Sequence, residues 1–583
     1  MPTLEWIGKE KVVNHHLEVP YRVLERKYSF DENGQTEADN GSENKIIHGD
    51  NLEALKSLLP QYEGKVKCIY IDPPYNTGNE GWVYNDNVND PHIKEWLNKT
   101  VGKEGEDLSR HDKWLCMMYP RLKLLQKLLA EDGAIFISID DTEYANLKLI
   151  CDEIFGSNCF VSNISWQRTY STRNDSKGIV NEVEHIVVYS KQPGWNPNKL
   201  PRTAEMDDRY KNPDNDVKPW KSSDAFAPDS VAHQGMVYGV QHPITGKIIY
   251  PPNGRHWSFG QEQVLEIMRG WASYELQDID DEEIRAVLCG VDKEQVRKDV
   301  KAIMLSVPLE QAAHHAEEVY KRGHWPIYCF SNNGRGGIRR KTYLESVGGK
   351  LPTNFWPFSE TGHTDEAKKE MLAIFDGKAT FDTPKPHRLI EFVLKVAGSK
   401  DSLILDSFAG SGTTAHAVLN MNKADGGHRK FILVEMGDYA DSITAERVKR
   451  VIHGYGEGKN AVPGTGGNFS FYDLGEPLMI GDVLNEGVGV EKIREYVYYM
   501  ETREPLPESE NGNDYFLGAC RGTAYYFYYE KTPITTLNHA FLATIPEKAE
   551  SYVIYADICT VPLEELAKHN ITFKKIPRDI ARL

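Results

Sequence analysis

The sequence predicts an α/β fold: a parallel sheet divided by a long insertion and followed by a small α/β domain. Three observations carry this expectation. Short β-branched apolar runs alternate with helical patterns through the first 160 residues, and the same alternation returns near residue 403 around a glycine-rich turn. Between about 161 and 370 the texture changes, with frequent Asn, Pro, Asp, Trp and Tyr. Alternating strand and helix is the signature of a parallel sheet, because parallel neighbours need a crossover.

In chain order, residues 1–43 form an N-terminal segment. Runs at 44–50 (NKIIHGD), 66–72 (VKCIYID) and 134–139 (AIFISI) read as strands, with helices over 52–59 and 114–129, so that 44–160 makes one half of the sheet. The insertion is expected at 161–375, with long loops and a helical patch near 261–322. Recognition usually sits on loops of this kind carried by a rigid scaffold. The second half, 376–455, holds a strand at 403–406 (LILD), a glycine turn, a helix from about 413 to 422 and a strand at 431–435. Glycine-rich 453–469 predicts a boundary. The tail, 470–583, carries AYYFYY at 524–529, YVIY at 552–555 and a helix near 562–568.

Composition narrows the class. The chain has 583 residues, 40% hydrophobic and 26% charged, enough for roughly three or four globular units. It shows no apolar run long enough to cross a bilayer. The start, MPTLEWIGKEKVVNHH, carries Glu5, Lys9, Glu10 and Lys11 where a signal peptide needs a continuous apolar core, so a cytoplasmic, nucleoid-associated protein with no membrane partner is expected. Eight cysteines without a CxxC pair read as reduced packing residues, and no metal is expected.

The formal charge of -18 opposes a polyanion partner at first sight. By region, however, 161–350 is neutral and 471–583 carries -7, while 321–350 alone carries +6. Attraction to nucleic acid would therefore be local. Arg335, Arg339, Arg340 and Lys341 in that stretch are candidate DNA contacts, interleaved with Trp325, Tyr328, Asn332 and Asn333; a solvated basic loop is the competing reading.

Two motifs carry chemistry. Asp72-Pro73-Pro74-Tyr75 follows a buried strand directly, and two prolines make a rigid turn at its carboxyl end, the edge where open α/β sheets hold ligands. Asp72 and the Pro73 carbonyl offer two acceptors for the two hydrogens of an exocyclic amine, and Tyr75 offers a ring face to a planar base. A proline-stiffened turn with a solvated Asp is the plainer alternative. Asp406-Ser407-Phe408-Ala409-Gly410-Ser411-Gly412-Thr413-Thr414 stands between a strand and a helix, where glycines let the backbone approach a ligand. No Lys follows Gly412, so this is not a phosphate-binding P-loop, and the GxG lacks the third glycine of the dinucleotide fingerprint. Glu435, at the end of the next strand, stands where acidic residues accept from ribose hydroxyls. His111 and Asp112 look catalytic, although Asp112 fits a helix start. Asp140 and Asp141 resemble a metal pair.

Together, DPPY and FAGSGTT resemble the amino-group DNA methyltransferases that use S-adenosylmethionine, in the permuted order of the β class. Longer stretches are similar to the modification (Mod) subunits of type III restriction-modification systems: HGDNLEALKSL (48–58), IYIDPPYNTGNEGWVYNDN (69–87), DLSRHDKWLCMMYPRLKLL (107–125), ISIDD (137–141), GHTDEAKKE (362–370) and TPKPHRLIE (383–391). The resemblance implies a circularly permuted, Rossmann-like methyltransferase sheet with an inserted target-recognition domain. It implies that Asp72, Pro73, Pro74 and Tyr75 hold a flipped adenine. Phe408, Ala409, Gly410, Gly412, Thr413, Thr414, Asp406 and Glu435 would surround S-adenosylmethionine, with Asp50 near its adenine and Lys385 to His387 closing over it. Ser407 stands where the family more often has Pro.

The implied activity is site-specific methylation of adenine N6 in double-stranded DNA, by a homodimer that supplies recognition to a restriction helicase-nuclease subunit. N4-cytosine methylation is the close alternative, although Asp rather than Ser at position 72 favours adenine. A DNA-binding specificity module without turnover and a protein glutamine methyltransferase are the remaining readings.

Overall fold

A computed structural model describes residues 3–77, 99, 110–170, 179–507, 513–546 and 548–578; residues 78–87 and 107–109 of the stretches quoted above lie outside them. The chain forms two compact units, residues 1–198 with 352–583, and residues 199–351. The insertion is thus narrower than 161–375. Its expected ends belong to the first unit, because residues 160–167, 183–190 and 355–356 pair into that unit's sheet.

That sheet has eleven strands: β1 (Arg22–Asp31), β2 (Gly34–Thr36), β3 (Lys45–His48), β4 (Val66–Ile71), β5 (Leu129–Ile139), β6 (Phe160–Gln167), β7 (Val183–Ser190), β8 (Phe355–Trp356), β9 (Leu403–Asp406), β10 (Lys430–Glu435) and β11 (Phe469–Pro477). Their spatial order is β8-β6-β7-β5-β4-β9-β10-β3-β11-β1-β2. From β5 to β11 all neighbours are parallel, and antiparallel pairs close both sides. The central strands are apolar without alternation: Cys68, Ile69, Tyr70 and Ile71 of β4 are all buried, as a strand covered on both faces must be.

Helices α1 (Asn51–Tyr62), α2 (Arg110–Leu128), α3 (Tyr144–Phe155), α4 (Thr364–Ile374), α5 (His387–Ala397), α6 (Thr413–Asp425) and α7 (Glu446–His453) belong to this unit. Asp50 caps α1, accepting from the Leu52 and Glu53 amides at 2.8 and 3.2 Å.

Two expectations at the chain ends change. The N-terminal segment is a sheet element, since β1 pairs with β11 over Arg22 to Phe30. Glycine-rich 453–469 is followed not by a separate domain but by β11, which lies between β3 and β1; Phe471 stacks on Tyr28 at 5.2 Å. Beyond β11 the tail builds a sheet of its own from Phe516–Cys520, Thr523–Phe527, Ser551–Ala556 and Ile571–Lys575, flanked by the helices Val490–Thr502 and Leu563–Lys568. All eight cysteines are free thiols. Among the described residues no helix is long and apolar enough to cross a membrane.

The second unit packs Trp220, Trp257, Trp271, Tyr328 and Phe330 into a core of its own, between short, mostly antiparallel strands and the helices Gln261–Arg269, Glu282–Cys289 and Leu309–Arg322. Its two ends pair with each other: the Leu200 amide donates to Lys350 O at 2.7 Å and the Lys350 amide to Leu200 O at 2.8 Å.

Candidate functional site

β4 and β9 are neighbours, with Ile404 beside Cys68 and Leu405 beside Ile69. The next strand in chain order after β4 is β5, on one side of this pair, and after β9 it is β10, on the other. Such a divergence opens a crevice at the carboxyl ends of the strands. Asp72 directly follows β4 and the glycine turn directly follows β9, so two motifs more than 300 residues apart in sequence share one edge.

A cavity of about 310 Å³ occupies that edge. Asp72, Pro73, Tyr75, Lys385, Asp406, Phe408, Ala409, Gly410, Thr413 and Thr414 of the expected set line it, together with Trp166, Arg168, Glu184 and Phe381. Pro74 lies behind, its carbonyl accepting from Trp114 Nε1 at 2.7 Å. Asn76 follows with φ 59°, and its side chain donates to Glu143 and to Arg110 O, which fixes the exit of the turn.

The Asp72 carboxylate is the centre of a charged cluster. Lys385 Nζ donates to both its oxygens, at 2.8 and 2.7 Å, and to the Tyr75 hydroxyl at 2.9 Å. Tyr75 donates to Asp72 at 2.8 Å and lies 3.3 Å from Glu184 Oε2; Arg168 holds the other Glu184 oxygen at 2.7 Å. Burial pushes the Asp72 carboxyl upward, against the pull of the Lys385 ammonium. Lys385 thus holds the carboxylate from the wall of the cavity, on the side where closure over a cofactor was expected.

The glycine turn is held from behind. Gly410 and Gly412 have φ 52° and 79°, which a side chain rarely adopts, and a Cβ on Gly412 would meet Thr444 O at 2.9 Å. Asp406 accepts from the Phe408 amide at 3.1 Å and the Thr414 hydroxyl at 2.6 Å, and burial pushes its carboxyl up to about 7. Glu435 does not line the cavity: its carboxylate accepts from the amides of Gly410 at 2.7 Å and Gly437 at 2.9 Å and from Tyr439 at 3.0 Å. Its place is to shape the turn, because backbone amides within reach are satisfied first in a buried site.

Asp50 and His387 are also off the cavity. Asp50 is a helix cap. His387 pairs with Glu370 at 2.6 Å and stacks on His416 at 4.7 Å. Glu370, His387 and His416 have the donor types of a metal site, but Arg447 already lies there: one guanidinium nitrogen is 3.1 Å from both Glu370 Oε2 and His416 Nδ1. The other donates to Ser411 and Thr413 of the turn at 2.9 and 2.7 Å.

Other expected residues resolve into structural roles. His111 pairs with Glu143 at 2.7 Å and Asp112 lies in the first turn of α2. Asp140 lines the cavity and accepts from the amide and hydroxyl of Thr142, whereas Asp141 pairs with His185 at 2.8 Å. In the second unit Lys341 is wholly buried between Asp214 and Asp216, each at 2.5 Å, so it is withdrawn from the candidate DNA contacts. Arg339 pairs with Asp224, Arg335 with Glu317 at 3.4 Å, and Arg340 lies 5.8 Å over the Phe259 ring.

The lining suits a nucleoside that carries no phosphate. Phe408 and Phe381 give apolar walls, Ser411, Thr413 and Thr414 give hydroxyls, and the two cations, Arg168 and Lys385, are each paired with a carboxylate. Glu184, Arg168 and Trp166 escaped notice in the sequence because they stand on β6, β7 and the chain after β6, without a motif. A signal for the strands that carry Trp166 and Glu184 was the alternation at 163–167 and the apolar run at 186–189.

Comparison with known proteins gives a consistent set of relatives. The profile of a DNA methylase family (N6_N4_Mtase) matches residues 66–499. The chain is 33% identical over 436 residues to the type III restriction-modification enzyme StyLTI Mod subunit of Salmonella typhimurium, covering 70% of this chain and 57% of that protein. It is 30% identical over 468 residues to the EcoPI Mod subunit of Escherichia phage P1, covering 74% and 63%. With the type II methyltransferase M.KpnI of Klebsiella pneumoniae it shares 29% over 409 residues, covering 70% and 84%. The matches to the two Mod subunits thus span less than two thirds of those proteins' length.

Proposed function

We propose, from the premise that this chain belongs to the DNA methylase family, that it transfers a methyl group to N6 of an extruded adenine in double-stranded DNA. The observation that carries the reading is the Asp72 carboxylate on the wall of the cavity that the glycine turn also lines. S-adenosylmethionine would be held against Phe408, Ala409, Gly410, Thr413 and Thr414 and would supply an electrophilic methyl group. Everything else falls to the chain's own residues.

N6 of adenine is a poor nucleophile because its lone pair is delocalised into the ring. Asp72 and the Pro73 carbonyl accept its two N–H hydrogens, which favours a pyramidal nitrogen and stabilises the positive charge that grows as the N–C bond forms and the methyl carbon–sulfur bond breaks, its electron pair staying on sulfur as a neutral thioether. The proton then lost from nitrogen leaves along the hydrogen bond to Asp72. Tyr75 supplies a face on which the extruded base stacks, offsetting the few kcal/mol that extrusion costs.

The similarity to StyLTI and EcoPI Mod subunits supports the further reading that this is the modification and recognition subunit of a type III system. It would act as a homodimer, with Arg335, Arg339 and Arg340 touching DNA and a helicase-nuclease subunit as partner. Incubation with DNA and methyl-labelled S-adenosylmethionine, followed by digestion to nucleosides, tests the chemistry. N6-methyladenine is expected; N4-methylcytosine would replace adenine as the substrate.

A further inference from the structure

Lys385 occupies two of the features that a target amine needs, the Asp72 carboxylate and the face of Tyr75. Its ammonium donates to both Asp72 oxygens and to the Tyr75 hydroxyl, and lies 5.0 Å over the Tyr75 ring. An exocyclic amine would use the same carboxylate and its base the same ring, so the two nitrogens compete for one place. The backbone beside it is anchored, since the Thr413 hydroxyl donates to Lys385 O at 3.3 Å. The ammonium sits at the end of a four-carbon stem, on which a lysine head group can swing. A second anion is close by: Glu184 Oε2 lies 3.7 Å from Nζ, so the ammonium can leave Asp72 and remain paired.

We propose that Lys385 is an internal stand-in for the substrate amine, holding Asp72 and the face of Tyr75 until the extruded base displaces it. This rests on the methyltransferase reading and deepens it, because it makes Lys385 a positioning residue that acts through Asp72. The stand-in has two consequences. It opposes the upward push of burial on the Asp72 carboxyl in the free protein, and it sets a threshold that an incoming base must exceed.

The groups facing Asp72 are Lys385 from the segment before α5, Glu184 from β7 with its partner Arg168, Asp406 from β9, and Tyr70 and Tyr75 from its own strand and turn. Lys385 is the cation in direct contact, so its removal leaves burial and the neighbouring carboxylates to hold a proton on Asp72 to higher pH.

The test compares full-length wild type, Lys385→Met and Lys385→Arg on DNA that keeps adenine at the methylated position and carries 2-aminopurine as its neighbour, because 2-aminopurine itself has no N6 amine. Three quantities are read: 2-aminopurine fluorescence at pH 8 as the extruded fraction, methylation rate against pH, and S-adenosylmethionine affinity by calorimetry. Lys385→Met should raise the extruded fraction and move the acid limb of the rate profile upward by about one to three pH units. Lys385→Arg should restore the limb. An unmoved limb, or an extruded fraction that fails to rise, overturns the proposal. Loss of cofactor affinity with an unmoved limb would instead make Lys385 a cofactor contact. Failure of the underlying reading is separately visible, as absence of labelled N6-methyladenine with the wild type.

Discussion

Burial and charge pull the Asp72 carboxyl in opposite directions, and the chemistry needs charge to win. An Asp72→Ala variant is expected to lose methylation by at least about 10²-fold, the scale of one lost transition-state hydrogen bond in a dry site, while its S-adenosylmethionine affinity in calorimetry stays near that of wild type. Asp406 is moved the same way without a cation beside it, burial holding its carboxyl at about 7. The folded chain keeps a proton there that the unfolded chain releases near pH 4. This group's contribution to stability is therefore full at acid pH and declines as the pH rises from about 4 to about 7. Asp406→Asn does not titrate, so the melting-temperature difference between wild type and variant should shrink across that window. Asp72 was legible as an acceptor from its place after a strand. Its partnership with Lys385 was not, because 313 residues separate them and only the fold joins them.

At the level of elements, the glycine turn is a loop suspended between α6, α7 and β10. Arg447 on α7 is its main support, a buried guanidinium shared by Ser411, Thr413, His416 and Glu370. Arg447→Met would leave Glu370 without that cation and the turn without two hydrogen bonds. Urea denaturation should show a loss of about 3–5 kcal/mol, the usual result of removing one partner of a buried charge pair. Strand–turn–helix order around this loop was readable from LILD, the glycines and the following Thr-Thr. The inward aim of Arg447 was not, because α7 is polar in composition and a lone arginine in such a helix is usually solvated.

For the whole molecule, the paired ends of the second unit make it a closed insertion. Replacing 201–349 by a short Gly/Ser linker should leave the first unit folded by circular dichroism and able to bind S-adenosylmethionine, while site-specific DNA binding in a gel-shift assay is lost. Charge at this scale is local: reversing Arg335 and Arg340 to Glu should weaken DNA binding and lower the log–log salt slope by about one to two, one per phosphate contact removed. By itself the sequence determined the α/β class, the two motifs and the regional balance of charge, because periodicity, prolines and glycines act over a few residues. Tertiary structure alone decided that β4 and β9 adjoin, that β11 belongs to the main sheet, that Lys341 is buried and that Lys385 meets Asp72. Each of these is a long-range pairing, set by burial and charge balance between segments whose spacing along the chain carries no record of their distance in space.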